Sequence, residues 1–311
     1  MTNDSELKPV PSEISRIRFE NILYATDFSP ASRTAFPYAL AMAQHYGATI
    51  FVVHVISPAL YTYSPPESLV PLLDAAETSA NEFMRRFVAS VDMGDTPHQE
   101  IVKVGEIWEV LSSEINEHNI DLIVAGTRGR RGLSKLIMGS VAEEIFRLAN
   151  CPVLTVGPLG VDTPPQSELR TILVATDFST DSIRATKYAI SLAEEFEARL
   201  IAMHVAASPE ADPSVKIRLT DFFTERLREV VPSEATPWCK VESVVEFGAP
   251  AEAILRTSRD RQAELIVMGV RGGGAVPGVS THFGATAHRV VTEAHCPVLT
   301  IRGSQEVDID S

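Results

Sequence analysis

Cysteine is scarce in this 311-residue chain: Cys151, Cys239 and Cys296 are scattered, and none forms a CxxC pair. That excludes a disulfide framework and fits small buried hydrophobes in a reducing compartment. No apolar run approaches the roughly 20 residues needed to span a bilayer. The opening MTNDSELKPVPSEISRIR has no stretch resembling a signal peptide. A cytoplasmic protein without a membrane partner is expected. Basic residues are outnumbered 27 to 41, for a net charge of −14. The deficit is even, with 12 basic and 19 acidic residues up to position 160 and 15 and 22 beyond it. Such a surface repels a phosphate backbone, so duplex nucleic acid is excluded as a partner. Several motifs are also missing. There is no GxxxxGK[ST], no GxGxxG after the first apolar run and no HExxH. His282, His288 and His295 do not match a metal-ligand spacing. No protein-ligated metal and no catalytic residue is read.

What is present is a duplication. Residues 21–55 (NILYATDFSPASRTAFPYALAMAQHYGATIFVVHV) align without a gap to 171–205, with 15 of 35 positions identical. VGEIWEVLSSEINEHNIDLIVAGTRG (104–129) aligns with 247–272, and CPVLTV (151–156) with CPVLTI (296–301). The chain divides into a flexible arm (1–17), a first domain (18–157), a proline-rich linker (158–167), a second domain (168–303) and an acidic tail (304–311).

Within each unit, short β-branched apolar runs such as NILYAT, ATIFVVHV and DLIVAG suit parallel strands buried on both faces. The segments between them carry apolar residues at helical spacing. One stripe is Leu69, Leu72, Leu73, Ala76, Ala80, Phe83, Phe87 and Val91, expected to pack on the sheet. Ser29 before Pro30 predicts the start of the first helix. The fold class is therefore α/β, with two tandem, doubly wound, five-stranded parallel sheets of Rossmann-like type.

In such sheets ligands bind beyond the carboxyl ends of the strands. The candidates are Thr26 and Asp27 after the first strand, His54 and Val55 ending the second, and Ala125 with the segment GTRGRRGLSKLIMGS (126–140) at the fourth. Gly126, Gly129, Gly132 and Gly139 are expected to permit close backbone approach and positive φ. Arg128, Arg130, Arg131 and Lys135 make this run locally basic, and Ser140 and Val141 open a helix. A basic loop feeding a helix N-terminus suits phosphate.

The spacing G-x2-G-x9-G-[ST] at Gly126, Gly129, Gly139 and Ser140, with ATDFS, the His54-Val55 pair and CPVLTV, resembles the universal stress protein family over some nine-tenths of the chain. The resemblance implies strand order 3-2-1-4-5 and ATP, with Mg2+ or Mn2+, as the ligand. It implies that Asp27 and the Val55 backbone hold the adenine and ribose end. Gly126, Gly129, Gly139, Ser140 and Val141 are implied to hold the phosphates. It also implies pairing of last strands, 153–156 with 298–301, as an intramolecular pseudo-dimer, and leaves room for a homodimer.

The second copy is an internal control. Asp177, His204 and Val205 keep the places of Asp27, His54 and Val55, and Arg271 that of Arg128, so these residues could serve the fold or a ligand. Its phosphate segment differs: Gly284 falls at x11, His282 stands at the expected glycine and Ala285 replaces Ser140. Three functions stay open: an ATP-binding regulatory module with a degenerate second domain, a slow ATP hydrolase or nucleotidyl-transfer enzyme, and a nucleotide-independent scaffold.

Overall fold

The computed structural model describes residues 17–61, 65–127, 138–157, 169–206, 212–231, 240–270 and 284–302. The β-branched runs form strands β1 (Asn21–Ala25), β2 (Thr49–Ile56), β3 (His98–Val104), β4 (Leu122–Gly126) and β5 (Val153–Val156) in the first half. The second half has β6 (Thr171–Ala175), β7 (Arg199–Ala206), β8 (Val241–Phe247), β9 (Leu265–Gly269) and β10 (Val298–Ile301). The helices of the first half are α1 (Pro30–Arg33), α2 (Phe36–Tyr46), α3 (Pro66–Ala89), α4 (Ile107–Glu117) and α5 (Ser140–Leu148). Those of the second are α6 (Thr180–Glu195), α7 (Pro213–Val230), α8 (Pro250–Asp260) and α9 (Ala285–Glu293).

The duplication explains one irregularity directly. Ser29 caps α1 by accepting a hydrogen bond from the Ser32 amide, but the helix stops after one turn and restarts at Phe36. Pro37 has no N–H to give to the preceding turn and its ring crowds the carbonyl there. Lys187 stands at the equivalent place in the repeat, and α6 runs unbroken from Thr180 to Glu195. The left-handed turn after α2 falls on Gly47, at φ 67°.

Each half has the strand order 3-2-1-4-5, and the two five-stranded sheets join at their last strands, 153–156 and 298–301, into one. The ten strands run β3-β2-β1-β4-β5-β10-β9-β6-β7-β8. Pairing is parallel throughout each half, and β10 lies antiparallel to β5. Leu154 faces Leu299, its own counterpart in the repeat, which marks a local two-fold axis. Thr155 Oγ1 donates to the Val298 carbonyl at 3.1 Å and Thr300 Oγ1 to the Val153 carbonyl at 3.2 Å. Both hydroxyls are buried and satisfied across the junction, so the junction leaves no open ladder at either strand. Near the same axis, His45 Nε2 lies 3.2 Å from Glu195 Oε1 and its ring stacks on Phe196. His45 and Glu195 are equivalent positions of the repeat.

One face of the sheet carries α2, α3, α6 and α7 over a single apolar core that crosses from one half to the other, from Tyr24, Phe36 and Phe87 to Ile190, Leu200 and Leu227. The opposite face carries α4 and α5 over one cluster and α8 and α9 over another. Met138, Ala142 and Phe146 of the first half belong to the α8–α9 cluster.

The α3 stripe is only partly a packing face. Ala80, Met84 and Phe87 are buried, while Leu72 and Phe83 are exposed. Phe83 sits among the buried turns with its ring 6.2 Å from that of Phe28, whereas for Leu72 the reason is length: 24 residues of helix reach about 36 Å, against roughly 26 Å for the eight residues of β2. The first turns of α3 overhang the sheet. Buried Cys296 and mostly buried Cys151 have thiols pushed up to about 12 by burial, so they remain protonated and inert. Cys239 lies outside the described residues. Among the described residues, no helix is long and apolar enough to cross a membrane.

Candidate functional site

Strand order reverses at β1, which pairs with β2 on one side and β4 on the other. The carboxyl ends of these three strands therefore flank a crevice. Thr26 and Asp27 leave β1 there, Val55 lies two residues past the Ala25–Val53 pair, and Ala125 and Gly126 end β4. Gly139, Ser140 and Val141 return from the loop into α5. The structure thus brings Thr26, Asp27, Val55, Ala125, Gly126, Gly139, Ser140 and Val141 to the same end of the sheet. Arg128 and Gly129, with Arg130, Arg131, Gly132 and Lys135, lie outside the described residues.

The ATDFS turn is built from its own side chains. The buried Thr26 Oγ1 accepts from the Phe28 amide at 3.0 Å and bonds the Ser32 hydroxyl at 3.1 Å. Asp27 Oδ1 accepts from the Ser29 amide at 3.0 Å, an Asx turn that swings Phe28 to φ 59°. His54 Nδ1 donates to the Thr26 carbonyl at 2.8 Å and ties the end of β2 to the end of β1. The second half repeats every part: Thr176 with Phe178 and Ser182, Asp177 with Ser179, and His204 Nδ1 with the Thr176 carbonyl at 2.9 Å. His204 is held below the usual imidazole range by burial, against the opposing pull of the Thr176 bond and Asp177. The shared turn is a structural device first. It leaves the half-buried Asp27 beside the crevice with one carboxylate oxygen engaged by the Ser29 amide.

The glycines work differently from the sequence expectation. Neither Gly126 nor Gly139 adopts positive φ. A Cβ on Gly126 would stand 2.7 Å from the Ala31 carbonyl oxygen and 3.1 Å from Ser32 Cα, so its bareness lets α1 press on the end of β4. Gly269 does the same for α6, where a Cβ would meet the Ser182 nitrogen at 2.7 Å. The first motif glycine is a packing requirement of both halves. Gly139 is the N-cap of α5 with φ −67° and ψ 150°, and its own amide is spent on the Thr127 carbonyl at 2.9 Å. The amides after it, at Ser140, Val141 and Ala142, have no intrahelical acceptor by helix geometry. Among the described residues no side chain caps them. They carry the positive end of the α5 dipole, the property an anion needs.

Two positioning residues escaped the sequence. Thr127, buried, receives the Gly139 amide and donates its own to the Val156 carbonyl at 3.0 Å, so it closes the base of the loop. Met138 is buried in the cluster of the second half, which anchors the start of α5 from across the junction. Its signal was the apolar Leu-Ile-Met just before Gly139, overshadowed by the glycines. In the second half, Gly284 caps α9 in the place of Gly139, with Ala285 where Ser140 stands. Gly284 crowds the Val270 carbonyl so closely that no side chain fits. The two extra residues and His282 fall in 271–283, outside the described residues.

One trio could in principle take a cation. Glu114, Glu117 and His118 offer ligand atoms within 4.8 Å of one another on α4 and just past its end. Glu114 is buried, but Lys103 from β3 already pairs with it, and His118 Nε2 lies 3.3 Å away. A lysine ammonium occupies the role a metal would fill.

Against known proteins, the model of the universal stress protein family matches residues 18–157 and again 168–302. A universal stress protein of Mycolicibacterium smegmatis is 27% identical over 294 residues, covering 90% of this chain and 96% of that protein. One from Mycobacterium tuberculosis is 27% identical over 296 residues, covering 91% and 96%. The crystal structure of a universal stress protein from Archaeoglobus fulgidus superposes with a TM-score of 0.65 at 25% identity, covering 91% of this chain and 98% of that one. Two family matches in tandem, on a sheet whose halves repeat strand by strand, place this chain in the universal stress protein family.

Proposed function

We propose that this chain is an ATP-binding regulatory protein of the cytoplasm, without dedicated catalysis, in which the first domain (18–157) holds the nucleotide. The observation that carries this reading is the uncapped start of α5 at the mouth of the β1–β4 crevice. The Ser140 and Val141 amides receive the phosphates over the bare Gly139 cap, together with Gly129 and Arg128 of the basic loop. Thr26, Asp27 and the Val55 backbone line the adenine and ribose end, and Ala125 and Gly126 form the floor. Mg2+ or Mn2+ accompanies the triphosphate, held chiefly by its oxygens. The second domain (168–303) is a degenerate partner, its β10 standing beside β5 as a second protomer's last strand would, and Ala285 offering no hydroxyl.

Isothermal titration of the whole chain with ATP and magnesium tests this. Saturable binding that Gly139→Asp abolishes is the expected result, since a carboxylate at the cap repels phosphate. No binding at millimolar ATP, or unchanged affinity in Gly139→Asp, overturns the proposal.

A further inference from the structure

The helix that starts at the crevice, α5, is seated on both halves of the molecule. Ile145 and Ala149 pack in the cluster of their own half, whereas Met138, Ala142 and Phe146 pack with α8 and α9. Its far end is held from across the junction as well. Arg302, the residue after β10, donates from Nη2 to the Phe146 carbonyl at 3.1 Å and is only 7% exposed. Phe146 lies in the last turn of α5, where helix geometry leaves carbonyls without an amide of their own. Arg302 therefore satisfies one of them and sets a buried positive charge at the negative end of the helix dipole.

The repeat shows that this contact is one-sided. Gly157 stands where Arg302 stands, and Val291 where Phe146 stands. A Cβ on Gly157 would lie 3.4 Å from the Ala294 carbonyl oxygen and 3.7 Å from that of Val291, so the chains approach there equally closely, yet no side chain crosses. α9 instead takes a cation from its own half, the exposed Arg259, whose Nη2 is 3.4 Å from the Glu293 carbonyl. The buried cation from the other half thus serves the helix that begins with Ser140, and a buried charge is screened far less than an exposed one. α5 also carries Glu143 in its first turn, followed by Glu144, whose Oε2 is buried with no hydrogen-bond partner among the described residues. Both carboxylates oppose an anion at Ser140, and a fixed positive charge on the same helix offsets part of that opposition.

We propose that Arg302 of the second domain is a positioning residue for phosphates bound by the first. It fixes α5 at its carboxyl end while Met138 fixes the start, so the Ser140 and Val141 amides stand preset towards the crevice. The nine residues of α5 span only about 13 Å, so the same charge also adds to the field at those amides. The second half completes the first site from behind, through a side chain its counterpart lacks. This role rests on the nucleotide reading of the crevice and adds that the grip on phosphate depends on the other domain.

Isothermal titration of the full chain with magnesium-ATP and with adenosine, on wild type, Arg302→Met and Arg302→Lys, tests it. Arg302→Met keeps an unbranched stem and loses the charge and the donor; it is expected to weaken ATP about fivefold and to leave adenosine, which has no phosphate, unchanged. Arg302→Lys, which keeps the charge, is expected to recover most of the ATP affinity. Hydrogen exchange of the α5 amides from Glu143 to Ala149, without nucleotide, is expected to quicken in Arg302→Met and not in Arg302→Lys. A wild type that ignores ATP overturns the nucleotide reading and this role with it. A wild type that binds ATP while Arg302→Met binds it equally well overturns this role alone. So does an equal loss for ATP and adenosine, or an Arg302→Lys variant no better than Arg302→Met.

Discussion

Replacing Gly126 with alanine isolates the packing role of the first motif glycine. The new methyl would stand 2.7 Å from the Ala31 oxygen, with Ser32 Cα at 3.1 Å, and both neighbours are backbone. No rotamer change relieves that, so α1 must lift from the end of β4. Overpacking of this kind costs about 1–3 kcal/mol, and a chain of this size loses roughly 1.5 °C in melting temperature per kcal/mol. The same substitution at Gly269, where the nearest atom is the Ser182 nitrogen at 2.7 Å, should cost a similar amount. Gly139→Ala is the contrast. Its φ of −67° and ψ of 150° suit any residue, so the loss should stay below about 1 kcal/mol, the difference between a glycine and an alanine cap. Urea unfolding of the three variants, followed by circular dichroism, gives the comparison. If Gly126→Ala unfolds with the wild type while Gly139→Ala collapses, the assignment of packing to one glycine and capping to the other is refuted.

Other outcomes follow from the same contacts. Thr26→Val removes the hydroxyl that serves the Phe28 amide and Ser32, and should cost about 1–2 kcal/mol in a denaturant melt, as should Thr176→Val in the repeat. Lys103→Met leaves the buried Glu114 carboxylate with only His118 beside it; because the ammonium is half exposed, the loss should be about 1–2 kcal/mol, largely recovered in Lys103→Met/Glu114→Met. His204 and His295 are both held below the ordinary imidazole range, chiefly by burial. The unfolded chain then binds more protons below about pH 6.5, so their stability contribution is present above that pH and lost as pH falls. Melting temperature should decline between about pH 7 and pH 5, and the slope should flatten in His204→Gln; an unchanged slope would count against burial as the cause.

The elements were legible because their signals are local. NILYA and LIVAG are β-branched runs, Ser29-Pro30 is a cap followed by a first-turn proline, and both landed where those residues dictate. What depended on distant partners was not legible. Helical periodicity put Leu72 on a packing stripe because it contains no information about where the sheet ends. The glycine motif pointed to the right end of the sheet, yet the reason for Gly126 lay in α1, almost a hundred residues earlier. Thr127 and Met138 went unnoticed because their roles are a carbonyl and a cross-junction contact, neither visible in residue type. The joining of the halves, a pairing between segments 147 residues apart at Thr300 and Val153, was legible only through the repeated CPVLTV and the family resemblance, not through any local pattern.

An assembly of identical subunits must present the same residue to itself wherever its axis passes, so acid faces acid and imidazole faces imidazole. Joining the two copies in one polypeptide lifts that constraint. Here His45 could diverge from Glu195, and the central contact became a complementary pair rather than a self-match. Either half meeting another of its own kind would bring two carboxylates or two imidazoles together, so gene fusion has written a preference for the internal mate into the spot where symmetry had forbidden one.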